Sequence, residues 1–187
     1  MLHYYCILFL SIKSLGNYIS FDNPRKFAIN MISMLATWIF FFNGNINVLF
    51  YYYLWDLLIS IIDGELLFSL HHIITIGVLC ISDSHIDYHR MIILVKLFKT
   101  GDLFLYIGRL LKYGPRMNPF IKSLLSLIFT FNSILLWLLF RLLLSIRYAI
   151  YLESNWVYAF CILYLGSIYW FIKKIYSCYI YYAQLLQ

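Results

Sequence analysis

Charged side chains are scarce in this chain, at 12% of 187 residues against 64% hydrophobic ones. A soluble domain carries roughly 25% charged residues, so the deficit argues against an aqueous surface. The mean hydropathy of +0.82 agrees. Cysteine is sparse too: Cys6, Cys80, Cys161 and Cys178 lie singly in apolar surroundings, without metal or redox spacing. They read as small buried hydrophobes. Five histidines are too few for the clustered sets of membrane di-iron oxidases. His85 and His89, four apart, would suit a metal only on a helix, and SDSHIDYHR around them reads as a solvated loop. No metal and no bound cofactor is therefore expected. The uncharged start lacks the basic beginning and small-residue cleavage site of a signal peptide. No internal repeat, linker or low-complexity tail is visible. The lack of an inverted repeat or of a Gly/Pro-broken pair of spans weakens a transporter or channel reading.

What is present is a series of apolar runs, several near the length of about 20 residues that crosses a bilayer as a helix. The first covers Leu2 to Ile12 and is short or tilted. The second runs from Phe27 to Asn43, the third from Ile46 to Ile62 and the fourth from Leu66 to Ser82. The fifth runs from Met91 to Leu111, the sixth starts near Phe120 and the seventh fills Trp156 to Ile172. Pro24 fits a helix start, NGN and Asp63-Gly64 are turn signals, and KYGPRMNP is the clearest loop. Tyr and Trp gather near several span ends, as interfacial anchors do. The expected fold is an all-α integral membrane protein of about seven transmembrane helices. Residues 1–23 form a short span and loop, and 24–182 form the main domain.

The formal charge of +6 is not a nucleic-acid signature, because basic residues cluster in loops between spans. Tallied by side, Lys13, Arg25, Lys26, Arg109, Lys112, Arg116, Lys122, Lys173 and Lys174 fall together. Arg90 and Arg147 fall opposite, while Lys96, Lys99 and Arg141 lie within spans. The positive-inside rule then puts the first side and the C-terminus in the cytoplasm.

Ionisable groups inside apolar spans are costly and need a partner or a purpose. Asp102, Tyr106, Arg109 and Tyr113 fall at i, i+4, i+7 and i+11, so a helix sets them on one stripe. His71 and His72 open the preceding span. If those two spans pack as neighbours, Asp102 reaches similar depth and can fix an imidazole's tautomer, which suits a general base or a nucleophile. The plainer alternative is hydrogen bonding between helices. Lys99 and Asp102, at i, i+3, can instead neutralise each other, and Lys96 wants a cavity or a partner such as Asp56. Asp63 and Glu65 read as solvated turn residues. Arg141, deep in LLWLLFRLLLSIRY, needs an anion or a carbonyl, from lipid or from a neighbouring helix.

HHIIT (His71–Thr75), followed after a polar loop by GDLFLYIGRLLKY (Gly101–Tyr113), resembles the TLC-domain family and in particular the Lag motif of ceramide synthases. RKF at Arg25–Phe27, YYYLWDLL at Tyr51–Leu58 and Trp137 with Arg141 add to the resemblance, which covers about residues 24 to 175. Laid without gaps, the motif's second aspartate falls on Asp102, its Glu on Tyr106, its Lys on Arg109 and its Tyr on Tyr113. Its HD falls on Phe98 and Lys99, a departure that turns one carboxylate into a cation.

The resemblance implies a six-helix bundle or barrel core in the endoplasmic reticulum, with membrane lipids as partners. It implies N-acylation of a sphingoid base, with acyl-CoA as co-substrate. His71 or His72 would then act as base or acyl acceptor, supported by Asp102. Lys99, Tyr106, Arg109, Lys112, Arg116 and Arg141 would contact lipid or CoA, the loop cations attracting CoA phosphates. A homodimer is compatible with this. Family members with an incomplete motif are regarded as lipid sensors or regulators of membrane composition, which is the alternative expectation.

Overall fold

The structure, a computed structural model, describes residues 2–81, 85–150 and 154–186, without the side chains of 81, 85–88, 91, 148, 154–157 and 159. Regular structure among the described residues is entirely helical. It comprises α1 (Leu2–Tyr18), α2 (Pro24–Asn43), α3 (Ile46–Ile62), α4 (Leu66–Ile81), α5 (His85–Tyr113), α6 (Pro119–Leu136), a π-helical stretch (Trp137–Leu144), α7 (Ser145–Ala149) and α8 (Ser154–Leu185). Helix α6, the π stretch and α7 follow without a break and form one rod.

Local chemistry sets the ends. The Asn23 side chain accepts from the Lys26 N–H at 3.0 Å and Pro24 occupies the first helical position, where its missing N–H leaves nothing unpaired. Asn118 and Pro119 repeat the device at α6, with the Phe120 N–H 2.9 Å from Asn118. Gly44, at φ 62°, closes α2 by donating to the Phe40 carbonyl, a left-handed position that favours glycine.

Three ends differ from the expected spans. Helix α1 continues to Tyr18 rather than Ile12; its bare Gly16 admits Phe21 and Pro24, which a Cβ would meet at 3.0 and 3.1 Å. Helix α5 begins at His85, so part of the expected polar loop is helical. Helix α8 runs through Lys173 and Lys174 to Leu185, because IYSCYIYYAQL holds no helix breaker.

Packing closes six rods into a ring. Neighbours follow in the order α2, α3, α4, α8, α6, α5 and back to α2, while α1 lies outside on α2 and α3. The Tyr5 hydroxyl donates to the Val48 carbonyl at 3.0 Å, and Phe9 lies 5.8 Å from the Trp55 ring. Ile32, Ala36, Phe40, Leu49 and Trp55 fill the α2–α3 core. At one end of the ring Arg25 pairs with Asp63 and Lys122 with Asp22. There the Asp22 and Asn23 N–H groups also donate to the carbonyls of Gly114 and Tyr113.

Polarity is distributed inside-out relative to a soluble protein. Leu and Ile side chains such as Leu10, Ile39, Ile62, Leu67, Ile128 and Leu165 stand exposed along the rods. Buried positions hold Lys99, Asp102, Arg141, Lys174 and many Ser and Thr residues. Several hydroxyls satisfy themselves on their own helix: Ser33 donates to the Ile29 carbonyl and Thr37 to that of Ser33. The cysteines follow this inversion. They were expected to be buried, but Cys6, Cys80 and Cys161 are exposed, because an apolar exterior accommodates small apolar groups outside as well as in. Two rods, Pro24–Asn43 and Pro119–Arg147, are long and apolar enough to cross a membrane; Ile46–Ile62 and Leu66–Cys80 are shorter apolar helices.

Gly101 holds α5 against the π stretch. A Cβ there would sit 2.9 Å from the Trp137 Cα and 3.0 Å from its nitrogen, both backbone atoms that cannot rotate away. Two turns further along the same face, a Cβ on Gly108 would meet Phe129 at 3.2 Å. Gly101→Ala is expected to lower stability by about 1–3 kcal/mol through overpacking, read by thermal unfolding in detergent. Gly77→Ala, where a Cβ meets nothing within 4 Å, is the control that should not lose stability.

Candidate functional site

The ring encloses a cavity of about 440 Å³. Along α5 its lining runs from Leu94 to Tyr113, about 28 Å at 1.5 Å per residue. The mouth lies at the end carrying Lys26, Asp63, Glu65, Tyr113, Lys173 and Tyr181. The far end is apolar, with Val78, Leu79, Leu94 and Val95. Polar and ionisable groups occupy the middle.

The stripe of Asp102, Tyr106, Arg109 and Tyr113 faces this cavity along its whole length, and His71, His72, Lys99 and Arg141 line it as well. Lys112 and Arg116 are exposed outside it. Lys112 rests over the rings of Tyr113 and Tyr181, at 5.6 and 5.1 Å, and Arg116 belongs to the loop between α5 and α6. His89 is exposed on α5, while the side chain of His85 lies outside the described residues.

His71, His72 and Asp102 line one cavity, but neither histidine pairs with Asp102 at ion-pair distance among the described residues. Helix α4 packs chiefly on α3 and α8, and α5 on α2, α6 and the π stretch, so the two spans are not neighbours. His72 instead meets Asp56 of α3, with Nε2 3.1 Å from Oδ2. The approach is off the direction of a hydrogen bond, and His72 Nδ1 has no partner among the described residues. The Tyr52 hydroxyl lies 2.8 Å from the same Asp56 oxygen and 2.9 Å from Ser33 Oγ, which fixes the carboxylate. Tyr53, Phe68 and His71 surround the His72 ring at 5.4, 6.0 and 5.5 Å.

Asp102 is held by two cations. Arg141 Nη1 lies 3.3 Å from one carboxylate oxygen and Lys174 Nζ 3.5 Å from the other. Arg141 also donates to Ser167 Oγ at 2.9 Å and to the Phe98 carbonyl at 3.2 Å; it needed an anion or a carbonyl and has both. Lys174 reaches Ser133 Oγ at 3.1 Å, and that hydroxyl donates to the Gly101 carbonyl. Both cations also approach the Trp137 ring, with Lys174 Nζ 3.0 Å and Arg141 Cζ 4.1 Å from ring centroids, a cation–π arrangement strengthened by burial. The π-helical winding carries both Trp137 and Arg141, as such stretches often do at functional sites.

Lys99 does not neutralise Asp102 at ion-pair distance. Its ammonium lies over the rings of Tyr53 and Tyr52, at 4.7 and 5.3 Å. Asp56, the partner suggested for Lys96, is taken by His72 and Tyr52. Reading the sequence alone missed Lys174, counted as a loop cation although it is 6% exposed. It also missed Asp56 as the partner of His72. The unbroken apolar pattern after Lys174 was the available signal for the first; nothing local distinguishes the second.

Comparison with known proteins returns no match, whether to a family model, a curated protein or a solved structure.

Proposed function

We propose that this chain is a multi-pass integral membrane protein that takes lipid into the ring of helices, and that it works as a ceramide-synthase-like acyltransferase. An apolar exterior around a polar interior supports the membrane setting, since ionisable groups in bilayer proteins face the bundle interior or a cavity. In this reading the ring is the six-helix core of a TLC-type domain, and α1 is an added span. The mouth with Lys26, Arg109 and Lys173 faces the cytoplasm by the positive-inside rule. The endoplasmic reticulum follows from the resemblance alone.

The observation that carries the catalytic reading is His72 beside Asp56 on facing helices within the cavity. Asp56 takes the supporting role first assigned to Asp102. It holds one imidazole nitrogen and stabilises the charged ring, leaving Nδ1 to accept a proton. Loose pairs of this kind tighten when substrate is bound. The amine nitrogen of a long-chain base attacks the thioester carbonyl of acyl-CoA. A C–N bond forms, the C–S bond breaks, His72 takes the proton lost by the amine and returns it to the departing CoA thiolate. Basic groups at the mouth attract the CoA phosphates.

A second reading, a non-catalytic lipid sensor, is favoured by Asp102 being occupied by Arg141 and Lys174, with Lys99 where the resembled motif has a carboxylate. The test is N-acylation of a labelled long-chain base by acyl-CoA, in membranes of a host stripped of its own ceramide synthases. The acyltransferase reading requires product above an empty-vector control. No product from folded protein that still binds lipid supports the sensor.

A further inference from the structure

We infer that the middle of the cavity is a binding site for the anionic head of an amphiphile, formed by Lys99, Arg141, Lys174 and the indole N–H of Trp137. The inference rests on the reading that a lipid enters the cavity, and it specifies the charge of that lipid. Lys99, Arg141 and Lys174 are each at least nine-tenths buried and line the same cavity. Among the described residues four carboxylates line it, but Asp63 and Glu65 stand exposed at its mouth, Asp63 on Arg25, which leaves Asp56 and Asp102 in the middle. Asp102 is shared by Arg141 and Lys174, and Asp56 is engaged by His72 and Tyr52.

Lys99 therefore has aromatic faces and no carboxylate at ion-pair distance among the described residues. Asp102 and Asp56 act on it only from longer range, and a buried charge lacking an ion-pair partner is unfavourable, so an anion that enters the cavity would offset it. A second feature points the same way. Trp137 is 3% exposed, lines the cavity, and its Nε1–H has no partner among the described residues. An indole N–H only donates, so it needs an acceptor oxygen.

The geometry also provides for a tail. Leu94 and Val95 lie four to five residues before Lys99 on α5 and share the apolar far end with Val78 and Leu79, about 6–8 Å beyond the cation at helical rise. An oxygen anion with an alkyl chain matches this order of groups. The head is a carboxylate, as in a fatty acid, or a phosphate monoester, as in a lysophospholipid. The cation of a protonated long-chain base does not match, although the same surroundings favour its uncharged, nucleophilic amine.

The full chain in phosphatidylcholine nanodiscs is titrated with radiolabelled oleate, oleoyl lysophosphatidate, monoolein and sphingosine. At least one anionic probe is expected to bind tenfold or more tightly than monoolein, and the tighter of the two identifies the head. Lys99→Met should lower that preference about tenfold, and Lys99→Arg should keep most of it. Trp137→Phe, which keeps an aromatic face for the cations and removes the N–H, should weaken anionic binding several-fold even if Lys99→Met fails to fold. Equal affinity for oleate, lysophosphatidate and monoolein, or tightest binding of sphingosine, overturns the anionic site while leaving a lipid cavity. Absence of binding by all four probes overturns the lipid cavity itself.

Discussion

Asp102→Asn is expected to destabilise the protein by about 3–5 kcal/mol, the usual penalty for leaving a buried ion cluster without its counter-charge. Among the described residues the carboxylate is the one anion at ion-pair distance from both Arg141 and Lys174, and asparagine keeps its shape while removing its charge. Arg141 would keep Ser167 and the Phe98 carbonyl, and Lys174 would keep Ser133, so hydrogen bonding survives where charge balance does not. Against stabilities of typically 5–15 kcal/mol, the variant should unfold in detergent at clearly lower temperature or fail to accumulate. A rescue is also expected. Adding Lys174→Met removes one of the stranded cations, and the double variant should recover part of the loss. If Asp102→Asn melts like the parent protein, the cluster is not what holds α5, the π stretch and α8 together.

The second large effect concerns rate rather than stability. His72→Ala and Asp56→Asn should each lower acyl transfer by about 10²–10⁴-fold, the range for a positioned proton-transfer group. The losses should not multiply in the double variant, because the two groups act as one unit. His71→Ala should do less, since the ring of His71 has no carboxylate at ion-pair distance among the described residues. Initial rates with labelled long-chain base, normalised to folded protein by thermal melting, measure this. An Asp102 variant that keeps its fold but loses transfer while Asp56→Asn retains it would return the supporting role to Asp102.

Periodicity alone made part of this site legible. Asp102, Tyr106, Arg109 and Tyr113 share a stripe because helical geometry leaves no other arrangement, and that stripe lines the cavity. Pro24, the NGN turn and the KYGPRMNP loop marked helix ends for equally local reasons, although the Asn23 and Asn118 caps were not singled out. Pairing between helices was not legible. Asp102 and Lys174 are 72 residues apart, and whether α4 faces α5 or α3 depends on how the ring closes. A dibasic step such as Lys173-Lys174 ordinarily signals a loop between spans; here one lysine is exposed at the cavity mouth and the other is buried on Asp102. The cysteines show a further limit. Burial follows from hydrophobicity when water lies outside, and the rule loses force when the exterior itself is apolar.

The measurement that tests the account most directly is where a lipid sits. A long-chain base with a photoactivatable group in its tail, flashed on the full chain in membranes and followed by peptide mapping, reads this out. Adducts are expected on cavity residues such as Phe68, Leu94, Val95 and Trp170, and excess unlabelled lipid should suppress them. Adducts confined to exterior residues such as Leu35, Ile128 and Leu165, indifferent to competitor, would contradict a lipid-receiving cavity and the acyl transfer built on it.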